Sequence, residues 1–416
     1  MFTEQAEQLA ATRPVWRGWP NWSQPSIGVS DETDSEICLR AWAVRCRRQG
    51  WRLRLHVALP CLRLTPDGPL AEEISGRGIR VDLPDQTLPL IPPVLLRAAS
   101  FTTLEYRPAL TVIVDVDASG DLAKAQLRRS RIRLSARVSP SENQNAVPSD
   151  VVGLVSAFRQ RRQRDGGWEG LGGQWFVQAT GGDVACGRSN TENAHTIDHE
   201  LHRLGEEALA AICAREHVVA VHRSRMPAVT PTEPWPQMPQ DGAALFRRWQ
   251  MEGHCASAGL QLEATPHAGD GTGPRALGLD PGGSSAELIM QRQLLSLVGV
   301  GPRIENEHLE ESLRRQQPCT EAARAALSEG RRYWCLKWLS EHLTSRVTGW
   351  VAARRGAGYL VLLDELPMSA WVPADNGLSA RVGDRVTVAN ERVHVRGDEV
   401  IFTDPRIEPP LESGSG

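Results

Sequence analysis

No stretch of this sequence reaches the roughly 20 consecutive apolar residues that a membrane-crossing helix requires. Neither a span nor a membrane partner is therefore expected. The start, M-F-T-E-Q-A-E-Q, lacks the cationic and apolar segments of a secretory leader. The eight cysteines (Cys38, Cys46, Cys61, Cys186, Cys213, Cys255, Cys319 and Cys335) contain no C-x-x-C pair. That argues against a zinc ribbon or a disulfide framework and fits reduced thiols in a cytoplasmic protein. Bulk basicity is missing too: 47 Lys and Arg stand against 50 Asp and Glu, a net charge of −3. A nucleic-acid site would have to be a local patch. Tyrosine and phenylalanine are scarce, 3 and 6 residues against 13 tryptophans. The rest is ordinary for a folded chain. Its 416 residues, 41% hydrophobic and 23% charged, suffice for two or three domains and a large core.

The densest chemistry lies in Ile27–Leu39, I-G-V-S-D-E-T-D-S-E-I-C-L, where Asp31, Glu32, Asp34 and Glu36 fall within six residues. Carboxylates this close are costly to ionise together, so they bind a cation, share a proton or face solvent. A hydrophobic strand follows, and acidic loops beside strands often seat magnesium-dependent phosphodiester chemistry. Around this loop, residues 1–24 read as a short helix and a Pro/Trp-rich connector. Ile37–Gln49 and Trp51–Leu59 read as strands about a Gly turn. In the second, Leu53, Leu55 and Val57 alternate with Arg52, Arg54 and His56. Pro66–Arg77 reads as a turn and short helix. Pro84, Pro89, Pro92 and Pro93 then predict extended backbone without ladder partners. Strands are expected over Arg107–Val116 and Leu122–Ala136.

A helix is expected over Ser149–Arg164. It ends in R-Q-R-R-Q-R-D-G-G, read as a solvated end with cations at the negative pole, phosphate contact being the alternative. Trp175–Ala185 reads as one strand. His195–Glu216 has a helical stripe of Ile197, Leu201, Leu204, Ala208, Leu209 and Ile212. His195 and His199 at i, i+4 suit zinc, but H-E-x-x-H is absent and no third ligand is evident, so a surface helix with pH-sensitive side chains is expected. A Pro-rich connector (227–241) and a helix (Gly242–Ala258) precede H-A-G-D-G-T-G-P-R. That segment lacks G-K-[ST] and is expected to be a plain flexible loop. Ala286–Leu297 reads as a helix, and Glu305–Thr344 as helix in two pieces broken near Pro318. From Val347, five short strands at regular spacing predict a small barrel of the OB type. The tail P-P-L-E-S-G-S-G is expected to be disordered.

Six segments follow one another in a telling order: H-V-A-L (His56–Leu59), R-G-I-R-V-D-L-P-D-Q-T-L-P-L-I-P-P (Arg77–Pro93), R-P-A-L (Arg107–Leu110), I-D-H-E-L-H-R-L-G-E-E-A-L-A (Ile197–Ala210), H-R-S-R-M-P (His222–Pro227) and D-P-G-G-S-S-A-E-L-I-M-Q-R-Q-L-L (Asp280–Leu295). Their series resembles the RNB family, ribonuclease II and ribonuclease R, which are hydrolytic 3′→5′ exoribonucleases. The resemblance runs from about residue 20 to residue 404. It implies an α+β fold: an RNB catalytic-type domain, a mixed sheet with surrounding helices, followed by an S1-type OB-fold β-barrel. The implied division is an N-terminal extension (1–24), the RNB domain (25–343), the S1-type RNA-binding barrel (344–404) and a disordered tail (405–416). The family's N-terminal cold-shock domains are not expected here.

Carried over residue by residue, the resemblance implies a degenerate site. The family loop I-D-x-x-x-T-x-D-x-D-D-A places Gly28 at the first aspartate, Asp34 at the second, Glu36 at the third and Ile37 at the fourth. Leu59 stands for the aspartate of H-I-A-D. Asp82 stands for one RNA-stacking tyrosine, and Pro140 falls at or near the other. Gly283 and Ser284 replace the arginines that stabilise the scissile phosphate, and Ser285 the tyrosine beside them. Glu200 matches its counterpart. Losing such an arginine removes a donor worth roughly 3–4 kcal/mol, by analogy with an oxyanion donor. That is two to three orders of magnitude in rate.

Asp34, Glu36 and Glu200 are thus the remnant catalytic candidates, and Asp34 and Glu36 the candidate magnesium ligands. Asp31 and Glu32 are expected to face solvent. In the barrel, Trp350, Tyr359, Trp371, Arg354 and Arg355 are RNA-binding candidates, with barrel core as the other reading of the aromatics. The expected function is RNA binding in RNA metabolism with little or no exoribonuclease activity and no cofactor. Two alternatives stay open. One is an active Mg²⁺-dependent exoribonuclease on single-stranded RNA, rebuilt from Asp31, Asp34, Glu36 and Glu200. The other is a structural protein that binds a protein partner and no RNA.

Overall fold

The alternation seen in the first third of the chain builds a sheet. In the computed structural model, which describes residues 4–12, 16, 18–66, 68–168, 173–189, 192–226, 240–254, 258–342, 346–374 and 379–408, helix α1 (Glu4–Ala11) and strand β1 (Ile27–Val29) lead into the hairpin β2 (Arg40–Arg47) and β3 (Gly50–Ala58). Helix α2 (Pro69–Arg77), strands β4 (Val81–Asp82) and β5 (Thr87–Leu88) and helix α3 (Pro93–Ala99) follow. The long strands β6 (Arg107–Asp117) and β7 (Leu122–Ile132) and the short β8 (Ala136–Val138) complete a six-stranded sheet in the order β7-β6-β3-β2-β1-β8. Its pairs are antiparallel except β1 with β8. The proline-rich segment does find a ladder, a two-pair one, because Val81 and Asp82 precede Pro84 and their partners Leu88 and Thr87 fall between Pro84 and Pro89.

The sheet has unlike faces because the side-chain period is two. Leu53, Leu55, Val57, Val112 and Val114 are fully buried on one face. Covering this face are α4 (Ser149–Arg164) and, after the hairpin β9 (Gln174–Thr180) and β10 (Asp183–Ser189), the helix α5 (Ala194–Arg215). The single strand expected here is a hairpin, since Gly181 and Gly182 take positive φ and turn the chain. Asn193 caps α5 in a capping box with Thr196. At Gly205 a Cβ would lie 2.6 Å from Leu55 and 2.7 Å from Leu279, so glycine lets α5 lie close on the sheet. This helix is therefore central, not on the surface as expected: Asp198, Glu200, His202 and Glu206 are buried along with its apolar stripe.

Strand β11 (His222–Ser224), helix α6 (Gln240–His254) and strands β12 (Gly259–Gln261), β13 (Pro266–His267) and β14 (Thr272–Ala276) come next. The strands form a small sheet in the order β12-β11-β14-β13. The glycine-rich segment is thus not a flexible loop: its Asp270 is fully buried, and Gly271, at φ +63°, is pressed against the Arg162 carbonyl and Gly167. Helix α7 (Ser285–Leu297) precedes α8 (Asn306–Glu341), which runs unbroken through Pro318. The expected break is absent because packing on both sides of the proline holds the helix: Leu309 is buried in the main core on its N-terminal side, and further contacts follow on its C-terminal side. Cys319 and Thr320 lie against Gly78, and Gly330 lies against Leu83.

The last five strands are β15 (Arg346–Arg355), β16 (Gly358–Leu363), β17 (Ser369–Pro373), β18 (Arg385–His394) and β19 (Glu399–Ile407). Ordered β17-β16-β15-β18-β19, they curl into a nearly closed barrel in which β17 and β19 approach. Its core of Val347, Val351, Val361, Val372, Val388 and Phe402 is completed by Leu336 and Leu339 of α8. Among the described residues no helix is long and apolar enough to cross a membrane. Most of the 227–241 connector and the terminal eight residues lie outside the described residues.

Candidate nucleic-acid interface and acidic loop

After β1 the acidic loop folds back on itself through Asp31 N–H to the Ile37 carbonyl (2.8 Å) and Ile37 N–H to the Asp34 carbonyl (2.9 Å). Asp31 does not face solvent as expected. Arg80 grips it with both terminal nitrogens, at 2.5 and 3.0 Å, and Thr33 donates its N–H (2.9 Å) and hydroxyl (2.7 Å). Burial alone would raise this carboxyl, but the Arg80 guanidinium and the Thr33 donors outweigh it and hold it at about 2. Asp34 accepts the Glu36 N–H (2.9 Å) and two donors of Arg97 (2.7 and 3.0 Å). Glu36, with a side chain 75% exposed, lies 3.1 Å from the same arginine. Glu32 is exposed and lies 3.6 Å from His195.

The positions between these acids are filled by packing. A Cβ at Gly28 would meet the Cys38 sulfur at 2.5 Å and Leu134 at 2.8 Å, so the place of the first aspartate is occupied by apolar side chains. Ile37 and Leu59 are buried, with 4% and 2% of their surface accessible. At Gly283 a Cβ would run into the Asp280 carboxylate. Ser284 caps α7, and the Ser285 hydroxyl donates to the Gly78 carbonyl at 3.0 Å. Magnesium demands near-octahedral oxygen ligands at about 2.1 Å. Here Asp34 and Glu36 share one arginine, Asp31 is committed to another, and Gly28 and Ile37 bring no side-chain oxygen. The residues present do not fit a magnesium ion. Among the described residues no three His, Cys, Asp or Glu side chains are grouped to hold any metal. His195 and His199 have ring centroids 6.0 Å apart.

Glu200 lies elsewhere, on a cavity of about 990 Å³ between α4, α5, α6, the β9–β10 hairpin and the barrel. Arg159, Arg203, Arg248, His199, Trp175 and Trp249 are among its walls. Arg162 Nη1 sits 2.7 Å from both Glu200 oxygens, Arg203 Nη1 at 3.0 Å and Arg159 Nε at 3.6 Å. Burial would raise the Glu200 carboxyl, but these three arginines prevail and lower it. Asp34 lines a separate cavity of about 470 Å³ with Arg80 and Arg97. The structure therefore does not bring the three candidate catalytic acids into one cavity.

Beneath Glu200 lies a charge network that sequence reasoning missed. Asp270 is fully buried and meets Arg203 Nε at 2.8 Å, Arg162 Nη2 at 3.3 Å, His267 Nδ1 at 3.2 Å, and Arg275. Glu206, also fully buried, takes Arg275 at 2.5 and 2.8 Å. The basic run ending α4 is only in part a solvated helix end: Arg164 is exposed as expected, but Arg161 and Arg162 are each 4% accessible, and Arg161 pairs with Glu207 at 2.5 Å. The one available signal for Asp270 was indirect. Arginines on a helix that also buries Val151, Leu154 and Phe158 require carboxylate partners.

In the barrel, Trp350 and Tyr359 are 4% and 3% accessible. The Trp350 indole donates to Asp364 at 2.8 Å, and the Tyr359 hydroxyl accepts the Ala380 N–H at 3.2 Å. Tyr359 belongs to the barrel core and Trp350 is buried between the barrel and α6, which corrects their candidacy as stacking platforms. Trp371 is 50% exposed and donates to the Arg355 carbonyl at 3.3 Å, beside the exposed Arg354 and Arg355 side chains.

A half-buried mixed sheet under a central helix, an acidic loop at its edge and a terminal barrel define a protein of the RNB class. The family model of the RNB domain matches residues 26–233, half of the chain, and the chain belongs to that family. No curated protein matches it. Among solved structures it is similar to Mycoplasma genitalium RNase R in complex with ribose-methylated single-stranded RNA, at 13% identity and TM-score 0.76, over 97% of this chain and 75% of that one. It is also similar to an active-site mutant of the Dss1 exoribonuclease from Candida glabrata, at 13% identity and TM-score 0.77, over 96% of this chain and 57% of that one. Yeast Ssd1, a pseudonuclease, is similar at 14% identity and TM-score 0.71, over 90% of this chain and 53% of that one.

Proposed function

We propose that this chain is an RNA-binding member of the RNB family that does not hydrolyse RNA at its acidic loop. The observation that carries the reading is the neutralisation of that loop: Arg80 holds Asp31, Arg97 holds Asp34 and Glu36, and Cys38 and Leu134 fill the space beside Gly28. Hydrolysis by a metal route needs a free oxygen cage, and a bidentate arginine competes for the same lone pairs. The cavity beside α5 is the candidate RNA site, with arginines for phosphates and Trp175 and Trp249 for bases. The terminal barrel, read as an S1-type domain over 344–404, adds Trp371, Arg354 and Arg355. Similarity to RNase R bound to single-stranded RNA supports the RNA, and similarity to a pseudonuclease supports the inactivity. A cytoplasmic site of action goes with the free thiols of the described cysteines.

The test is to incubate the pure protein with 5′-labelled single-stranded RNA and Mg²⁺ or Mn²⁺. Retention of intact RNA, weakening steeply with salt, is expected. Processive shortening that vanishes in Asp34→Asn would overturn the reading in favour of a rebuilt nuclease. No retention at low salt would overturn it in favour of a protein-binding role.

A further inference from the structure

The face of the six-stranded sheet turned away from α5 carries a concentration of positive charge that the cavity does not use. Strand register fixes its membership. Arg45 pairs with Arg52, which pairs with Asp115, which pairs with Lys124. The next row on this face is Ala43, Arg54, Ile113 and Gln126, and the one after it Ala41, His56, Thr111 and Arg128. With Arg47, two residues beyond Arg45, six cations share this surface: Arg45, Arg47, Arg52, Arg54, Lys124 and Arg128. One carboxylate, Asp115, stands among them and is held by Arg52 at 2.5 Å. Asp117 at the rim is turned into its own hairpin, where it accepts the N–H groups of Ser119 and Asp121.

Half of this face is closed and half is open. Trp22 stacks edge-on against His56 at 5.4 Å, Ser26 bonds the same ring at 3.2 Å, and Phe101 is buried nearby. Beyond Trp22 nothing among the described residues covers the sheet, and Arg45, Arg47, Lys124 and Arg128 are exposed. Arg54 lies at the boundary, 5.5 Å over the Trp22 ring and 6% accessible, with its Nε buried and without a hydrogen-bond acceptor. Burial, and then the charges of Arg52, Arg47 and Arg45, push the Arg54 guanidinium below its usual range, a sign of cations assembled without enough anions. In a chain of net charge −3 such a cluster is not a by-product of composition.

We propose that the open half of this sheet face binds the phosphodiester backbone of RNA, at a surface separate from the cavity beside α5. Neighbouring strands set cations about 4.8 Å apart and alternate residues about 7 Å apart, a spacing that lets several forked guanidiniums engage successive phosphates. The surface has the charge of a backbone-binding site without the anchors of a protein interface. None of the large exposed apolar side chains among the described residues lies on it, whereas protein partners are held by buried aromatic and aliphatic anchors. Recognition here is of phosphate, so it is insensitive to base sequence.

The inference goes beyond the proposed function and can fail separately from it. The experiment is fluorescence anisotropy of a labelled single-stranded oligoribonucleotide in EDTA, across a salt series, with the full chain, with R45E/R47E/R128E and with the milder R45Q/R47Q/R128Q. Thermal melts confirm that these exposed changes leave the fold intact. Each lost phosphate contact lowers the slope of log affinity against log salt by about 0.7. The triple variants are therefore expected to lose about 2 from that slope and at least about tenfold in affinity at low salt. Unchanged slope and affinity in both variants would overturn this surface and leave the cavity reading standing. A wild-type chain that binds no RNA would overturn both. Polyglutamate displacing the RNA at equal charge concentration would assign the face to an acidic protein and overturn the RNA.

Discussion

Two regions of this chain are dense in charge, and they dispose of it in opposite ways. In the acidic loop, carboxylates near the surface are matched by arginines reaching over from other segments: Arg80 to Asp31, and Arg97 to Asp34 and Glu36. At the end of α4 the arginines themselves go inward, and Glu200, Asp270 and Glu206 form a network with Arg162, Arg203 and Arg275 below the protein surface. At the exposed Arg97–Glu36 pair the loop can lose a partner to water at small cost. The network cannot, because a charge left alone there has no solvent to turn to. An acidic motif is therefore no guide to where charge is energetically committed.

Substitutions at the two regions should differ in that sense. The largest effect is expected at Asp270→Ala, which removes a buried carboxylate shared by Arg162, Arg203, Arg275 and His267 and leaves their excess charge to Glu200 and Glu206 alone. Roughly 3–5 kcal/mol should disappear from the urea unfolding free energy, and a loss under 1 kcal/mol would contradict the network. Next comes Gly28→Asp, the change that restores the family's first aspartate. Overpacking against Cys38 and Leu134 should cost about 1–3 kcal/mol, seen as a lower melting temperature. No Mg²⁺-dependent RNA shortening should appear, and its appearance with the fold intact would show that the loop can still hold a metal.

A smaller effect is expected from acid. Asp31 is held at about 2 against an ordinary value of 3.8, so its contribution is complete above pH 4 and is lost as pH falls toward 2. The amount is on the order of 2 kcal/mol. Arg80→Gln should remove that part of the acid sensitivity, and acid unfolding curves that superimpose would refute the pairing. Smallest for stability is Trp371→Ala, expected within about 0.5 kcal/mol because the ring is half exposed. If the ring stacks on RNA, its removal should weaken RNA binding by roughly 1–3 kcal/mol, and unchanged affinity would confine RNA to the other surfaces.

Local patterns were legible where one physical effect dominates. The alternation around Leu53 and Leu55 predicts β3, the stripe from Ile197 to Ile212 predicts α5, and the spacing after Val347 predicts the barrel. What was not legible depends on partners distant in sequence. Pro318 looked like a break because the packing of its neighbours against Gly78 joins segments some 240 residues apart. Arg162 looked solvated because its partner Asp270 lies 108 residues away. At the candidate site, the loss of ligands at Gly28 and Ile37 could be read by setting the loop against the family's motif. The capture of Asp31 and Asp34 by Arg80 and Arg97 could not, since no local rule says which arginine folds over a loop. Trp350 and Trp371 lie on the same face of the barrel sheet and differ because α6 packs over Trp350, through Leu245 and Phe246, and leaves Trp371 open.

Helix α8 has a mechanical consequence. At about 1.5 Å per residue its 36 residues form a rod roughly 54 Å long. Its middle, at Cys319 and Thr320, is wedged against α2 and the turn at Gly78, and its C-terminal end plugs the barrel, where Asn390 donates to the Leu339 carbonyl at 2.6 Å. A rod held at its middle and at one end transmits torque between the two holds. Any load applied to the barrel, such as tension along a bound strand, is delivered to the sheet-bearing half rather than absorbed by a hinge.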